Sequence, residues 1–168
     1  LVVCPKSVVD NWQAEAARFF PALRIHAWRG SGGDDFGAAL REVDLLVINY
    51  TQLRLLEPAL TAVTWHAVIL DEAQFIKNPE SQTARIATAL RTTHRLALSG
   101  TPIENRLLDL WSIMAFAMPG LLGPRARFAK TYDQRTDPLA RRRLAARVRP
   151  FVLRRTKSEV ARELPDRI

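Results

Sequence analysis

Two adjacent carboxylates, Asp71 and Glu72, follow a continuous apolar run at residues 67–70. Such a run is typical of a strand buried on both faces of a parallel sheet, and ligands bind at the carboxyl ends of those strands. Carboxylates there suit Mg²⁺, which prefers oxygen ligands and keeps several waters while bridging to phosphates. In this interpretation Asp71 holds the ion, directly or through water, and Glu72 orients and deprotonates an attacking water. The alternative is a loop start or a helix cap, since acid pairs after apolar runs are common.

A second group of small polar residues, Ser99, Gly100 and Thr101, follows another apolar run at residues 96–98. If both runs are strands of one parallel sheet, the two groups lie at the same edge of that sheet. Small hydroxyl residues beside a hydrolysis site can sense the terminal phosphate and pass the change to a neighbouring surface. Taken alone, the string Ser-Gly-Thr-Pro is explained more simply by a plain turn.

Two earlier apolar runs also end in polar residues. Lys6 and Ser7 follow the apolar start of the chain, at the beginning of a predicted helix. Exposed amides and these two side chains suit a backbone phosphate of a nucleic acid, although a capped helix start explains them equally well. Tyr50 and Thr51 follow the third run and place hydroxyl groups at another strand end.

The elements that must position these groups alternate along the first 120 residues. Short apolar runs are separated by longer stretches in which apolar residues recur at helical spacing. Strands and helices in alternation predict an open α/β fold with a parallel sheet and right-handed crossovers. The five predicted strands are residues 1–4, 23–27, 45–48, 67–70 and 96–98.

The pattern changes after a Gly-Pro pair at residues 123–124. The remainder is helical and basic, with one short strand-like run at residues 151–153. We therefore expect a boundary near residue 120 that separates an α/β region from a helical subdomain. The predicted helices of this subdomain are residues 125–133, 137–149 and 157–163.

The net charge of +8 is concentrated in the second region. Residues 1–120 carry 11 basic and 12 acidic side chains, whereas residues 121–168 carry 14 and 5. Basic density confined to one segment is typical of a surface that binds a polyanion. Arg141, Arg142 and Arg143 form the densest run, for which a solvated helix face is the alternative.

The composition excludes several other classes of protein. Hydrophobic residues make up 48% and charged residues 25% of the sequence, as in a globular protein rather than a disordered one. No apolar run approaches the roughly 20 residues that span a bilayer. The single cysteine, Cys4, excludes an internal disulfide, and His26, His66 and His94 lack metal-ligand spacing. The chain has no initiating Met and opens inside an apolar run, so we interpret it as part of a longer protein.

Together these strings resemble the first motor lobe of the Swi/Snf-type DNA translocases, within the larger group of RecA-like helicases. Three of the matching segments, residues 110–112, 119–123 and 149–165, are absent from general helicases, so the resemblance is specific. The segments are 5–7 with Trp12 and Glu15 (similar to motif Ia), 49–51 (motif Ib), 71–78 (motif II), 99–105 (motif III), 110–112, 119–123 and 149–165 (family-specific helix, loop and protrusion base).

The resemblance implies a RecA-like parallel sheet with flanking helices over residues 1–120, without the strand that carries the phosphate loop. Residues 121–168 would form a basic helical protrusion and the start of the connection between lobes. The implied protein is a DNA-dependent ATPase that uses ATP and Mg²⁺. It would walk along double-stranded DNA and remodel DNA-bound proteins, in the bacterial cytoplasm with the nucleoid or in a eukaryotic nucleus.

The resemblance also assigns roles to individual residues. One group of residues would carry out hydrolysis, and one carboxylate of this group would hold Mg²⁺ through water. A second group would couple hydrolysis to movement, and a third would bind DNA. The assignments are Asp71 (metal and catalysis), Glu72 and Gln74 for catalysis; Ser99, Gly100 and Thr101 for coupling; and Lys6, Ser7, Tyr50 and Thr51 for DNA binding. The charge density adds Arg141, Arg142 and Arg143 to the DNA-binding group.

Two departures from the family pattern have consequences. Gln74 stands where the family more often has His, and its amide still offers a donor and an acceptor. No G-x-x-x-x-G-K-[ST] string occurs, so this sequence has no loop of amides and no Lys for the β- and γ-phosphates. We expect the isolated chain to be inactive. We also expect it to self-associate, because the absent strand, which would lie inside the sheet, leaves unpaired strand edges.

Two other functions compete with this interpretation. A strand-separating helicase of the DEAH type shares the acidic motif, but the helical block at residues 119–165 speaks against it. A non-catalytic adaptor that binds nucleic acid or protein is the second alternative. Intact Asp71 and Glu72 speak against it, because a scaffold needs neither carboxylate.

Overall fold

The structure is a computed structural model that describes residues 1–30, 34–100, 107–132 and 138–155. Five strands and eight α-helices lie within these ranges. None of the helices in them is long and apolar enough to cross a membrane.

All five strands lie parallel in one sheet. The strands are β1 (Val2–Cys4), β2 (Ile25–Ala27), β3 (Leu45–Asn49), β4 (Thr64–Leu70) and β5 (Arg91–Ala97). Their order across the sheet is β2-β3-β1-β4-β5. Each of the five strands predicted from the sequence is present, and the predicted α/β class with a parallel sheet is confirmed. Because Cys4 lies opposite Asn49 and Val3 opposite Leu70, the ends of β3, β1 and β4 meet at one edge.

Helices cover both faces of the sheet. The helices are α1 (Val9–Phe19), α2 (Asp34–Glu42), α3 (Tyr50–Leu55), α4 (Glu57–Ala62), α5 (Gln82–Ala89), α6 (Leu107–Ala117), α7 (Arg125–Tyr132) and α8 (Pro138–Val148). On β1, Val2 and Cys4 pack with residues of α1, whereas Val3 belongs to the larger cluster formed with α2 to α6. Alternate residues of a strand point to opposite faces, and both faces of β1 are buried. This explains the continuously apolar run at the start of the chain.

The outer strands of the sheet are β2 and β5. Within the described ranges β5 pairs with β4 alone, and its Leu96 side chain is 50% exposed. The described strands follow one another without a gap. Unpaired backbone therefore lies at the outer edges of the sheet, and β5 adds an exposed apolar side chain there.

The chain divides into two compact units, Leu1–Phe128 and Ala129–Ile168. The first contains the whole sheet. In the second, helix α8 begins with Pro138, whose fixed φ and missing N–H suit the first turn of a helix.

The prediction of a short strand at residues 151–153 is wrong. Arg149–Phe151 forms a 3₁₀ turn with a proline near its start, and the residues that follow are extended and exposed. A strand needs a hydrogen-bonding neighbour, and none of the described residues pairs with this segment. The predicted helix at 157–163 lies outside the described residues.

Candidate active site

Asp71 lies directly after β4, and four hydrogen bonds fix its position. Its amide donates to the Val3 carbonyl at 2.8 Å, which continues the β1–β4 pairing by one residue. The Trp12 indole Nε1 donates to Oδ2 at 2.8 Å, and the Glu72 amide donates to Oδ1 at 2.9 Å. The Tyr50 hydroxyl donates to the Asp71 carbonyl at 2.7 Å. Each carboxylate oxygen thus accepts one of these bonds and has a further lone pair for a water or an ion.

Glu72 adopts a left-handed backbone, with φ 52° and ψ 55°. It is the one non-glycine residue with positive φ among the described residues. This conformation costs an L-residue roughly 1–2 kcal/mol, and such strain is concentrated at functional sites. The half-buried Glu72 carboxylate accepts a hydrogen bond from Gln74 Nε2 at 2.7 Å. The strained backbone and this bond together fix the direction of the carboxylate.

Gln74 links Glu72 to the end of the neighbouring strand. Ser99 Oγ donates to Gln74 Oε1 at 2.9 Å. A carboxylate only accepts, so the amide nitrogen must face Glu72 and the amide oxygen must face the Ser99 hydroxyl. The Ala73 amide also donates to the Leu98 carbonyl at 2.7 Å. The segments after β4 and β5, which are far apart in the sequence, thus form one hydrogen-bonded group.

The donor set at this edge suits one kind of cation. No cluster of three or more His, Cys, Asp or Glu side chains that could hold a metal occurs in the part of the chain that the structure describes. Asp71 and Glu72 supply oxygens only. A hydrated Mg²⁺ fits such a site, because it retains several waters and takes few protein ligands, whereas zinc prefers nitrogen and sulfur ligands.

The proposed phosphate-binding segments flank the same edge. Lys6 and Ser7 are exposed in a 3₁₀ turn that runs directly into α1. Thr51 is exposed in the first turn of α3. Asn49 caps this helix, since its side chain accepts hydrogen bonds from the amides of Thr51 and Gln52. The amides at the start of α3 are therefore used within the protein, and the Thr51 side chain is the exposed polar group.

Tyr50 differs from its neighbour Thr51 because it is buried, with 4% of its surface exposed. Its hydroxyl is occupied by the bond to the Asp71 carbonyl. Burial, with the negative charge of Asp71 as a smaller contribution, raises the pKa of Tyr50 above its usual value, so the hydroxyl remains a donor. A contact between this hydroxyl and DNA would require that the bond to Asp71 be broken.

Comparison with known proteins identifies the family. The profile of the SNF2-related domain matches residues 1–168. The chain belongs to the SNF2-related family. Its relatives include YwqA of Bacillus subtilis, named as an ATP-dependent helicase/translocase, which is 40% identical over 177 residues and matches 100% of this chain. The TATA-binding protein-associated factor mot1 of Aspergillus fumigatus is 37% identical over 185 residues and also matches 100% of this chain.

Solved structures agree with this assignment. The Sulfolobus solfataricus SWI2/SNF2 ATPase core in complex with double-stranded DNA matches 95% of this chain at 39% identity, with a TM-score of 0.85. The Swi/Snf resemblance of the sequence and the expected fold are thereby confirmed. The chain spans 34% of that structure's chain, 19% of YwqA and 10% of mot1. This SNF2-related chain thus corresponds to a small part of its relatives.

Three further residues predicted for the SNF2-related chain lie on α8 in the second unit. Arg141, Arg142 and Arg143 are exposed, and they are flanked along the helix by the buried residues Ala140 and Leu144. The charged run is therefore on a solvent-facing part of α8. In the coupling group, Gly100 is exposed, and Thr101 lies outside the described residues.

Sequence reasoning missed two contributors to the SNF2-related site. Trp12 is part of the segment similar to motif Ia, but its role as a donor to Asp71 is visible only in the structure. Phe75 is 52% exposed and its ring stacks on Tyr50, with centroids 4.6 Å apart and an interplanar angle of 8°. No spacing rule predicts either contact, because each joins segments that follow different strands.

Proposed function

We propose that this chain is part of the first motor lobe of an ATP-dependent translocase that acts on double-stranded DNA and remodels DNA-bound proteins. Residues 1–120 would form the partial lobe, and residues 121–168 the basic protrusion and the start of the interlobe connection. The observation that carries the proposal is the hydrogen-bonded chain from Glu72 through Gln74 to Ser99, beside the fixed carboxylate of Asp71.

Asp71 would hold Mg²⁺ through water. Its carboxylate is oriented by Trp12 and by the Glu72 amide. Each of these bonds uses one lone pair of one oxygen, so each oxygen has a second lone pair that could accept a bond from water on the ion. A bound Mg²⁺ neutralises charge on the ATP phosphates. The phosphate loop that grips the nucleotide would come from a part of the motor outside this sequence.

Glu72 would orient the attacking water and accept its proton. A carboxylate that performs this task must be held within hydrogen-bond reach of the water, and general-base catalysis contributes about 10²–10⁴ to the rate. The bond from Gln74 and the left-handed backbone restrict where the carboxylate points. These restraints support the assignment of Glu72 as the base.

Gln74 and Ser99 would couple hydrolysis to movement, together with Gly100 and Thr101. A change at the terminal phosphate that displaces Glu72 alters the hydrogen bond of Gln74, and this alters the bond to Ser99. The signal would therefore reach the end of β5 through side-chain contacts.

DNA binding would use exposed groups of both units. Lys6, Ser7 and Thr51 lie beyond adjacent ends of β1 and β3, which supports a common phosphate-binding surface. The arginine-rich part of α8 would add counterion-release affinity with little sequence preference. Tyr50 would act beneath this surface through its bond to Asp71.

The decisive experiment uses the full motor protein that contains this chain. We expect ATP hydrolysis that double-stranded DNA stimulates, and we expect Glu72→Gln to reduce it by about 10²–10⁴ while the protein stays folded. The isolated 168-residue chain should show no measurable hydrolysis, because its sequence lacks the phosphate loop. An arginine finger supplied by a second lobe would by itself raise the rate of hydrolysis about 10³–10⁵-fold.

Three results would contradict the proposal. Turnover by the isolated chain that depends on Glu72 would show that the site is complete without further segments. ATP-driven strand displacement by the full motor would favour a strand-separating helicase. A full motor that binds DNA without hydrolysing ATP would favour the adaptor function.

We also expect the isolated chain to self-associate through the exposed edge of β5. Leu96→Lys should weaken association, because a charge on an exposed edge strand opposes pairing with another copy. The matched control is Leu153→Lys, at a position 81% exposed and outside the sheet. Sedimentation over a range of concentrations measures the effect, and a monomer at all concentrations would contradict the expectation.

In cells, we expect the motor at the bacterial nucleoid or in a nucleus.

A further inference from the structure

Two aromatic side chains, on opposite faces of the sheet, donate hydrogen bonds to Asp71. Trp12 lies on α1, packs with the smaller apolar cluster, and donates its indole N–H to Oδ2 at 2.8 Å. Tyr50 begins α3, belongs to the larger cluster, and donates its hydroxyl to the Asp71 carbonyl at 2.7 Å. One residue fixes the carboxylate and the other fixes the backbone that carries it.

Both contacts have a fixed direction. The indole nitrogen of Trp12 can only donate, so its partner must be an acceptor. The partner of the Tyr50 hydroxyl is a backbone carbonyl, which can only accept, so Tyr50 must be the donor. The Tyr50 ring also stacks on Phe75, in the turn that follows Glu72. Tyr50 therefore touches the acidic segment both at Asp71 and beyond Glu72.

Each aromatic residue is joined along the chain to a segment that carries an exposed phosphate-binding candidate. The 3₁₀ turn with Lys6 and Ser7 passes without a break into α1, which carries Trp12. Tyr50 is the residue before Thr51 on α3. A helix transmits displacement as a rigid element, so movement at either exposed segment also moves an aromatic donor to Asp71.

We propose that Trp12 and Tyr50 are positioning residues that set the orientation of Asp71 and link DNA contacts on α3 and on the turn before α1 to the metal site. The proposal rests on the proposed function, since it assumes that Asp71 holds Mg²⁺ and that the two exposed segments meet DNA phosphates. It assigns the two aromatics a role in the response to DNA, beyond their part in the core.

The test uses the full motor with Trp12→Phe and Tyr50→Phe. Each variant removes one donor; Tyr50→Phe keeps the ring, and Trp12→Phe replaces the indole with a smaller aromatic ring. Trp28→Phe and Trp65→Phe are matched controls. Their indoles donate to the carbonyls of Gly30 at 2.9 Å and Leu60 at 3.0 Å, away from Asp71. Melting temperature and DNA affinity are measured for every variant.

Partners that orient a metal ligand change metal affinity or activity by about 10–100-fold when they are removed. We therefore expect Trp12→Phe to raise the Mg²⁺ concentration for half-maximal hydrolysis at least about tenfold. Tyr50→Phe should lower the factor by which DNA stimulates hydrolysis, with DNA affinity within about twofold of the wild type. The control variants should leave both quantities unchanged.

A second readout does not depend on turnover. Electron paramagnetic resonance measures Mn²⁺ binding to the motor with ADP, and we expect about tenfold weaker binding for Trp12→Phe than for Trp28→Phe. If both aromatic variants match the controls in Mg²⁺ dependence, Mn²⁺ binding and DNA stimulation, the inference is overturned. If the wild-type motor fails to hydrolyse ATP, the proposed function fails, and the Mn²⁺ result still decides whether Trp12 orients Asp71.

Discussion

The acidic edge of the sheet and the arginine-rich helix α8 were both expected to be functional, yet they are built in different ways. At the edge, Asp71, Glu72 and Gln74 are held by hydrogen bonds from segments that follow or cover four strands. On α8, Arg141 to Arg143 are exposed side chains on one helix. The first region is specified by tertiary geometry and the second by local charge density.

This difference predicts how each region responds to mutation. A group held by several partners loses its direction when one partner is removed, so small changes at the edge should have large effects on rate. A charged surface acts through the sum of its charges, so each arginine should contribute a similar, modest amount.

Gln74→Ala should reduce DNA-stimulated hydrolysis by the full motor about 10–100-fold, the usual effect of removing a partner that orients a reactive group. The substitution frees the Glu72 carboxylate from its bond and leaves the Ser99 hydroxyl without its acceptor on Gln74. Steady-state hydrolysis with saturating DNA and Mg²⁺ measures the loss.

Ser99→Ala supplies the control for Gln74. If the three side chains act as one chain, the double variant should be no slower than Gln74→Ala alone, because residues of one network are not additive. Fully additive losses would mean that Gln74 and Ser99 act independently, and the contrast with α8 would weaken.

Replacing Arg141, Arg142 and Arg143 together with Ala should change DNA binding rather than hydrolysis at saturating DNA. Each phosphate contact contributes about −0.9 to the slope of log K against log salt, so the slope should become shallower by about 2–3. Arg18, Arg41 and Arg85, exposed on the first unit, provide a charge-matched triple variant. An unchanged slope for the α8 variant would assign this helix face to solvation alone.

Asp44 gives the smallest effect and belongs to neither region. It accepts three hydrogen bonds from the Arg24 amide and guanidinium, at 2.9, 3.0 and 2.9 Å. The guanidinium bond is the main cause that lowers the pKa of Asp44 from 3.8 to about 2. Because the folded pKa lies below the unfolded one, this stabilisation is complete above pH 3.8 and is lost as the pH falls towards 2.

Thermal melting of the 168-residue chain between pH 6 and pH 2.5 tests this assignment. Asp44→Asn should melt below the wild type at pH 6, and the two curves should converge at the acid end. Glu42→Gln removes a carboxylate two residues away and serves as the control. A constant difference across the range would show that the Arg24 contact does not depend on the charge of Asp44.

Much of the fold followed from the sequence because its signals are local. Continuous apolar runs predicted all five strands, and burial on both faces of the sheet is the physical cause of that pattern in β1 and in the centre of β3. The acidic pair and the Ser99 group were expected at one edge, since parallel strands end together. The run at residues 151–153 has the same local character but no partner strand among the described residues, so local pattern alone misled.

The contacts within the site could not be predicted in the same way. The bond from Trp12 to Asp71 spans 59 positions of the sequence, and that from Tyr50 spans 21. Such contacts depend on strand order and on the face to which each helix packs, neither of which is encoded in one segment. Hydroxyl chemistry at a strand end suggested an outward role for Tyr50, whereas its burial turns the hydroxyl inward.

The left-handed backbone at Glu72 sets stability against activity at a single position. Glycine adopts this conformation without steric cost, so a sequence optimised for folding alone would place glycine there. Selection for a reactive carboxylate has to override that preference, at a cost of about 1–2 kcal/mol. Redesign of this domain for stability alone would therefore tend to remove the residue on which its chemistry depends.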